Sequence, residues 1–131
     1  MVCVTNQWAG SDGDIGTSMF RALGLGPVVG MRTWGGVIGI DGRYTLVDGT
    51  AVTQPRYGFW MVGEGWGIEN HGVDPDVEVP HPPQAWAAGE DPQLDTAVRL
   101  VLAALGSAEA VPGPDRTTRP DRAAPVLPPR R

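Results

Sequence analysis

Ser11 is the residue whose type and setting best fit covalent chemistry. It lies in residues 9–14, AGSDGD, between an apolar segment and a segment with helical periodicity. The first N–H groups of a helix have no intrahelical partner and bear partial positive charge, so the Asp12 N–H could stabilise an oxyanion formed at Ser11. Gly10 would let a substrate backbone approach closely. The turn is therefore compatible with a nucleophilic serine, but the spacing alone favours simple helix capping by Ser11 with Asp12 or Asp14.

The elements on either side of this turn would present Ser11 at the end of a strand. Residues 1–5 are apolar and rich in β-branched side chains, which predicts a strand buried on both faces. Residues 14–23 are predicted to form a helix with Ile15, Met19 and Leu23 on one face. A buried strand at the first residue leads us to expect that the chain is the C-terminal part of a larger unit.

The middle of the chain is predicted to contain short strands separated by glycine turns. These strands are expected at residues 28–31, 37–40, 44–47, 50–53 and 57–62. The dipeptide Asp41-Gly42 is typical of a two-residue hairpin turn. Residues 63–90 contain several prolines and are predicted to be irregular.

A second helix is predicted near the C-terminus. It would begin with Asp91 as cap and Pro92 in the first turn, and end at Gly106. Its predicted core-facing side chains are Leu94, Val98, Val101, Leu102 and Leu105. The proline- and arginine-rich residues 107–131 are predicted to form an extended or disordered tail.

Composition excludes several classes of function. A formal net charge of −5 does not suggest a nucleic-acid partner. All basic side chains are arginines, which excludes a lysine of this chain as a catalytic base. His71 and the acidic residues 74 and 76 match no standard spacing for a metal, and we expect neither metal nor cofactor. No signal peptide or membrane-spanning stretch is found, so we expect no membrane association and a cytoplasmic protein.

Several segments resemble tricorn proteases and their bacterial homologues, in the C-terminal processing class of serine peptidases (peptidase family S41). These segments are residues 5–15, 23–30, 32–40, 46–49, 66–70 and 72–76. The resemblance implies an α/β fold, the C-terminal part of a ClpP/crotonase-like serine peptidase core. Short strands, a nucleophile helix and a C-terminal amphipathic helix would form this core over residues 1–106, followed by the tail.

The resemblance also implies roles for individual residues. The family uses a Ser-His pair that a second serine and a glutamate extend to a tetrad. Ser11 matches the nucleophile, the Asp12 N–H matches half of the oxyanion hole, and Glu69 matches the glutamate. The histidine, the second serine and the remaining oxyanion donor lie upstream in the family and have no counterpart here. Gly16 is a local departure, because we expect a bulky aromatic near this position.

Substrate contacts and the base are predicted more loosely. Gly10, Gly35 and Gly36 are candidates for the close approach of an extended peptide that binds by strand addition. His71 follows Glu69 by two residues and could be imagined as the base, but we expect an exposed loop histidine. Five tryptophans could suggest carbohydrate binding, but core packing and a substrate groove explain them more simply.

The sequence therefore predicts the core of a serine endopeptidase that forms an acyl-enzyme on Ser11, with its histidine supplied from outside this chain. The alternative is a catalytically inactive domain that binds peptide or acts in assembly. The expected partners are a peptide substrate and either the missing N-terminal part of the peptidase, on the same or a separate chain, or a second copy of this chain.

Overall fold

A computed structural model describes residues 1–115 and 117, and it confirms the predicted α/β architecture. The elements, in chain order, are β1 (Cys3–Thr5), α1 (Asp12–Ala22), β2 (Val28–Gly30), β3 (Gly39–Asp41), β4 (Gln54–Tyr57), β5 (Val77–Glu78), α2 (Pro83–Ala88) and α3 (Pro92–Gly106). None of the helices in this part of the chain is long and apolar enough to cross a membrane.

Strands β1, β2 and β5 form a parallel three-stranded sheet in the order β1-β2-β5. Val28 and Val29 of the central strand are completely buried, as expected for a parallel strand covered on both faces. Helices α1 and α3 both pack against β1, and α3 also contacts β2. The prediction that β1 is buried on both faces is wrong for Val4, which is 45% exposed, because the face of β1 that carries Val4 is not fully covered.

A second, antiparallel sheet contains β3 and β4 and corrects the predicted hairpin. Asp41 is a strand residue that pairs with Gln54, so the chain does not turn back at Asp41-Gly42. The tight turn occurs at Asp48 and Gly49, where the Asp48 carboxylate accepts the N–H of Thr50. Gly49 has a φ of 82°, a conformation that glycine adopts readily.

Two predictions for the C-terminal half also need correction. Residues 63–90 are not entirely irregular, because β5 and α2 form there; α2 begins at Pro83, where a proline is tolerated in the first helical turn. The predicted core face of α3 is exposed: Leu94, Val98, Val101, Leu102 and Leu105 are each at least 42% accessible. Gln93 and Ala97 are buried instead; Gln93 donates to the Val79 carbonyl, and alanine allows close packing.

The start of α3 follows the sequence signal, since Asp91 accepts the Leu94 N–H at 2.9 Å. The predicted tail at residues 107–131 can be followed only in part. Residues 107–115 and 117 contain no helix or strand, and the other positions lie outside the described residues.

Two glycine-to-alanine substitutions should shift stability in opposite directions. Gly30 has a φ of 125°, and a Cβ there would overlap the carbonyl oxygen of Thr5 in β1. Gly30→Ala should therefore lower the free energy of unfolding by at least about 2 kcal/mol. Gly16 lies within α1 with open space around it, so Gly16→Ala should raise the free energy of unfolding by about 0.5–1 kcal/mol. Denaturant titration followed by circular dichroism measures both, and equal effects would contradict this account of Gly30.

Candidate active site at the N-terminus of helix α1

Ser11 occupies the N-cap of α1 in an unusual backbone conformation. Its φ is 53° and its ψ is −108°, and the residue is exposed. A non-glycine residue with positive φ costs on the order of 1–3 kcal/mol and persists only where the surroundings fix it. Such strain is typical of functional turns, and here it accompanies an exposed serine at the start of α1.

The first contact that fixes this conformation is with Asp14, which is completely buried. Its Oδ2 accepts the Ser11 N–H at 2.8 Å and the Gly36 N–H at 3.2 Å, and its Oδ1 accepts the Gly35 N–H at 2.8 Å. A buried carboxylate is stable only when its oxygens are hydrogen-bonded, and N–H donors to a charged acceptor form strong bonds. Asp14 thus joins residues 9–14, called here the nucleophile turn after the predicted role of Ser11, to residues 35 and 36.

Glu69 fixes the next part of the same segment. Its Oε2 accepts the N–H groups of Val37 and Ile38 at 2.8 and 2.9 Å, and the residue is half-buried. Among the described residues, no hydrogen bond to its Oε1 is found. The predicted tetrad role of Glu69 stays a prediction, and the observed role is that of an anchor for the backbone beside α1.

The predicted oxyanion donor has its N–H available. In the first turn of α1, Gly13 N–H donates to Gly10 and Ile15 N–H donates to Ser11. Over the part of the chain that the structure describes, the Asp12 N–H has no acceptor. It lies at the positive end of the helix dipole, directly after Ser11, a position suited to one donor of an oxyanion hole. The predicted role of the Asp12 N–H stays a prediction.

The three glycines predicted to contact substrate have structural roles of their own. A Cβ on Gly10 would lie 2.5 Å from Cε3 of Trp34, and one on Gly36 would lie 2.6 Å from Cζ3 of the same ring. Gly35 has a φ of 85°, and its N–H and that of Gly36 donate to Asp14. A peptide could therefore not pair with these two N–H groups, and substrate contact at Gly10, Gly35 and Gly36 stays a prediction.

Both histidines have partners away from this turn. His71 Nε2 lies 2.9 Å from Oδ2 of Asp74, whose Oδ1 lies 3.0 Å from Arg32. The His71 hydrogen bond is the largest cause that lowers the pKa of the Asp74 carboxyl below its usual value, and Arg32 adds to it. His81 lies 2.9 Å from the carbonyl oxygen of Glu90. Within the described residues, no group of three or more His, Cys, Asp or Glu side chains could hold a metal ion.

Sequence reasoning named Ser11, Asp12 and Glu69 but did not find the role of Asp14. The signal was a serine followed three residues later by an acid, which is close to a capping box. That pattern predicts the bond between Asp14 and the Ser11 N–H. Local patterns do not predict the bonds from Asp14 to Gly35 and Gly36, because these residues are distant in the sequence.

Comparison with known proteins identifies the class. The model of peptidase family S41 matches residues 1–79, and the chain belongs to this family. It is 69% identical over 105 residues to tricorn protease homolog 1 of Streptomyces coelicolor, with 80% of this chain and 10% of the relative covered. It is 49% identical to the tricorn protease of Thermoplasma acidophilum, with the same coverage.

Two further matches show where the similarity lies. A crystal structure of the tricorn protease superposes with a TM-score of 0.77 at 48% identity, covering 80% of this chain and 10% of that one. A putative tricorn-like protease C-terminal subunit of Sulfurisphaera tokodaii is 52% identical, over 80% of this chain and 12% of the relative. The predicted family resemblance is confirmed, and the chain spans about a tenth of the length of these relatives.

Replacing Ser11 should reveal the strain in its backbone. Ser11→Gly and Ser11→Ala both remove the hydroxyl, but only glycine adopts a φ of 53° without cost. The glycine variant should be more stable than the alanine variant by about 1–2 kcal/mol. Chemical denaturation of the two variants measures the difference, and equal stabilities would show that the strain is absent in solution.

A pH titration should show whether His71 is held by Asp74. His71→Ala should raise the pKa of Asp74 towards its ordinary value of 3.8, and His81→Ala should leave it unchanged. Because the pKa is lower in the folded chain, the contact stabilises that state above about pH 3.8 and is lost as the pH falls through the lowered pKa. NMR titration of the Asp74 carboxyl carbon measures this, and an unaltered pKa in His71→Ala would mean that the contact does not form.

Proposed function

We propose that this chain supplies the nucleophile half of a serine peptidase site, which hydrolyses peptide bonds through an acyl-enzyme on Ser11. The observation that supports this most directly is an exposed serine with positive φ at a helix N-terminus, followed by an N–H without an acceptor. Membership of peptidase family S41 points in the same direction.

The reaction would use the groups of this chain in a defined order. The Ser11 hydroxyl gives its proton to a histidine from outside the described residues, and its oxygen attacks the peptide carbonyl. The Asp12 N–H donates to the resulting oxyanion. The C–N bond then breaks, the amine takes the proton from the histidinium, and the acyl group remains on Ser11. Water, deprotonated by the same histidine, attacks the ester, and the bond between the acyl carbon and the Ser11 oxygen breaks. Ser11 takes the proton back from the histidinium, and the second product is released as a carboxylic acid.

Glu69 would orient this network rather than accept the proton. Its Oε2 accepts hydrogen bonds from the backbone N–H groups of Val37 and Ile38, and these bonds fix the position of the carboxylate. Its Oε1 remains available to accept a hydrogen bond from the incoming histidine or serine. An anchored carboxylate that holds a partner in one orientation is the role of the third member of a catalytic triad.

The base must come from elsewhere, because His71 and His81 are held by other groups and the chain has no lysine. The matched 105 residues make up only 10% and 12% of two related chains, and one of these is named as a C-terminal subunit. We therefore place the histidine on the remainder of such a protein or on a separate chain. A second copy of this chain could supply only His71 or His81. The alternative function is an inactive module that binds peptide or assembles with a partner. The lack of a local base is the observation that supports it.

A peptide would lie beside the nucleophile turn. Residues 35–38 have their N–H groups occupied, whereas β3, which begins at Gly39, pairs only with β4 among the described residues. The open edge of β3 can accept an extended peptide by strand addition. Gly10, Gly35 and Gly36 would then border the substrate, and the N–H groups of Gly35 and Gly36 would not donate to it.

A fluorophosphonate probe tests the proposal. The chain, alone and with the upstream part of a tricorn-type peptidase, is incubated with the probe, and the intact mass is read with Ser11→Ala as control. We expect one adduct on Ser11 only when the histidine-bearing part is present, together with cleavage of an unmodified peptide. An adduct on the isolated chain would place the base within the chain or its oligomer and make His71 the next residue to replace. No adduct under either condition, on folded protein, would favour the inactive module.

A further inference from the structure

Asp14 is the one completely buried charged side chain within the described residues, and the reaction outlined above does not use it. Among the described residues, Asp14 has no ion-pair partner, and its carboxylate accepts hydrogen bonds from the backbone N–H groups of Ser11, Gly35 and Gly36. Burying a carboxylate costs several kcal/mol unless its oxygens are satisfied. A helix cap alone would not require this burial, because an exposed side chain can cap the same turn.

We propose that Asp14 is a positioning residue for Ser11, which fixes the backbone of the nucleophile and couples it to the segment of residues 35 and 36. This inference rests on the proposed peptidase function. It gives Asp14 no contact with substrate and no part in proton transfer.

The backbone of Ser11 is fixed at both ends. Its N–H donates to Asp14 at 2.8 Å, and its carbonyl oxygen accepts the Ile15 N–H at 3.0 Å. With its N–H turned inward to a buried carboxylate and its φ at 53°, the residue stays exposed at the start of α1. Without Asp14, the strain at this φ would favour a return to an ordinary conformation, which would move the hydroxyl relative to the Asp12 N–H.

The same carboxylate connects the turn to the neighbouring segment. Gly35 and Gly36 donate to Asp14, and Trp34 donates to the carbonyl oxygen of Ala9 at 3.0 Å. These bonds make the nucleophile turn and residues 34–36 one unit. A peptide that lies on the β3 side of this unit therefore meets Ser11 at a distance that Asp14 helps to set.

Asp14→Asn is the informative substitution, with Asp76→Asn as its matched control. The amide group has nearly the same shape but keeps one acceptor oxygen, so at least one of the three N–H donors loses its partner. Asp76 also accepts a backbone N–H, that of Val28 at 2.7 Å, at the opposite end of the parallel sheet from Ser11. Both variants should lose stability, which separates a structural effect from an effect on Ser11.

The readout is the rate of fluorophosphonate labelling of Ser11, measured on the full 131-residue chain together with the histidine-bearing part and corrected to the folded fraction. We expect Asp14→Asn to reduce this rate by about 10- to 100-fold, since small misplacements of a reacting group have effects of this size. Asp76→Asn should label at the unmodified rate. An unchanged rate in Asp14→Asn, with reduced stability, would overturn the proposal and leave Asp14 as a cap.

A second measurement does not depend on the base. In the unmodified chain, NMR should show the amides of Ser11, Gly35 and Gly36 protected from hydrogen exchange to a similar degree. The three-bond scalar couplings across the N–Cα bond of Ser11 should together indicate a positive φ. Free exchange of the Ser11 amide, or a negative φ, would overturn the proposal even if Asp14→Asn fails to fold. If the unmodified protein is not labelled at all, the peptidase proposal fails separately, and the NMR result alone decides the role of Asp14.

Discussion

The site depends on two carboxylates that accept four successive backbone N–H groups. Residues 35–38 belong to no strand or helix, so their N–H groups need acceptors from elsewhere. Asp14 accepts those of Gly35 and Gly36, and Glu69 accepts those of Val37 and Ile38. Because Asp14 also accepts the N–H of Ser11, this segment, the predicted nucleophile and the predicted tetrad glutamate share one hydrogen-bonded framework.

The glycines in this region follow from the close approach of three backbone segments. The Thr33 N–H donates to the carbonyl oxygen of Val73 at 3.1 Å, and the Val73 N–H donates to Oγ1 of Thr33 at 2.7 Å. The Asn70 N–H donates to the carbonyl oxygen of Gly35 at 2.7 Å. A Cβ on Gly72 would overlap the carbonyl oxygen of Thr33. The segment is thus held by α1 on one side and by residues 69–73 on the other, so it keeps its shape without belonging to a sheet.

The sequence predicted the features that local chemistry determines. The cap at Asp91, the strand predicted at residues 28–31 and observed at Val28–Gly30, and the serine at the start of α1 each follow from neighbouring residues. The hairpin at Asp41-Gly42 was wrong because Asp41 pairs with Gln54. The framework around Asp14 was also missed, since it joins residues more than 20 positions apart, and the pairing of distant N–H groups with a carboxylate has no periodicity in the sequence.

Hydrogen bonds between residues that are far apart in the sequence also distinguish the groups of the predicted site that lie on this chain from those that do not. Ser11, the Asp12 N–H and Glu69, which are the predicted nucleophile, oxyanion donor and tetrad glutamate, lie on segments joined by hydrogen bonds between residues 9 and 73, within the 1–79 match to the family. Neither histidine side chain takes part in these hydrogen bonds, because His71 contacts Asp74 and His81 contacts the carbonyl oxygen of Glu90. The hydrogen-bond network therefore agrees with the predicted division between a nucleophile on this chain and an external histidine, and completing the predicted site would take the histidine, the second serine and the remaining oxyanion donor from elsewhere.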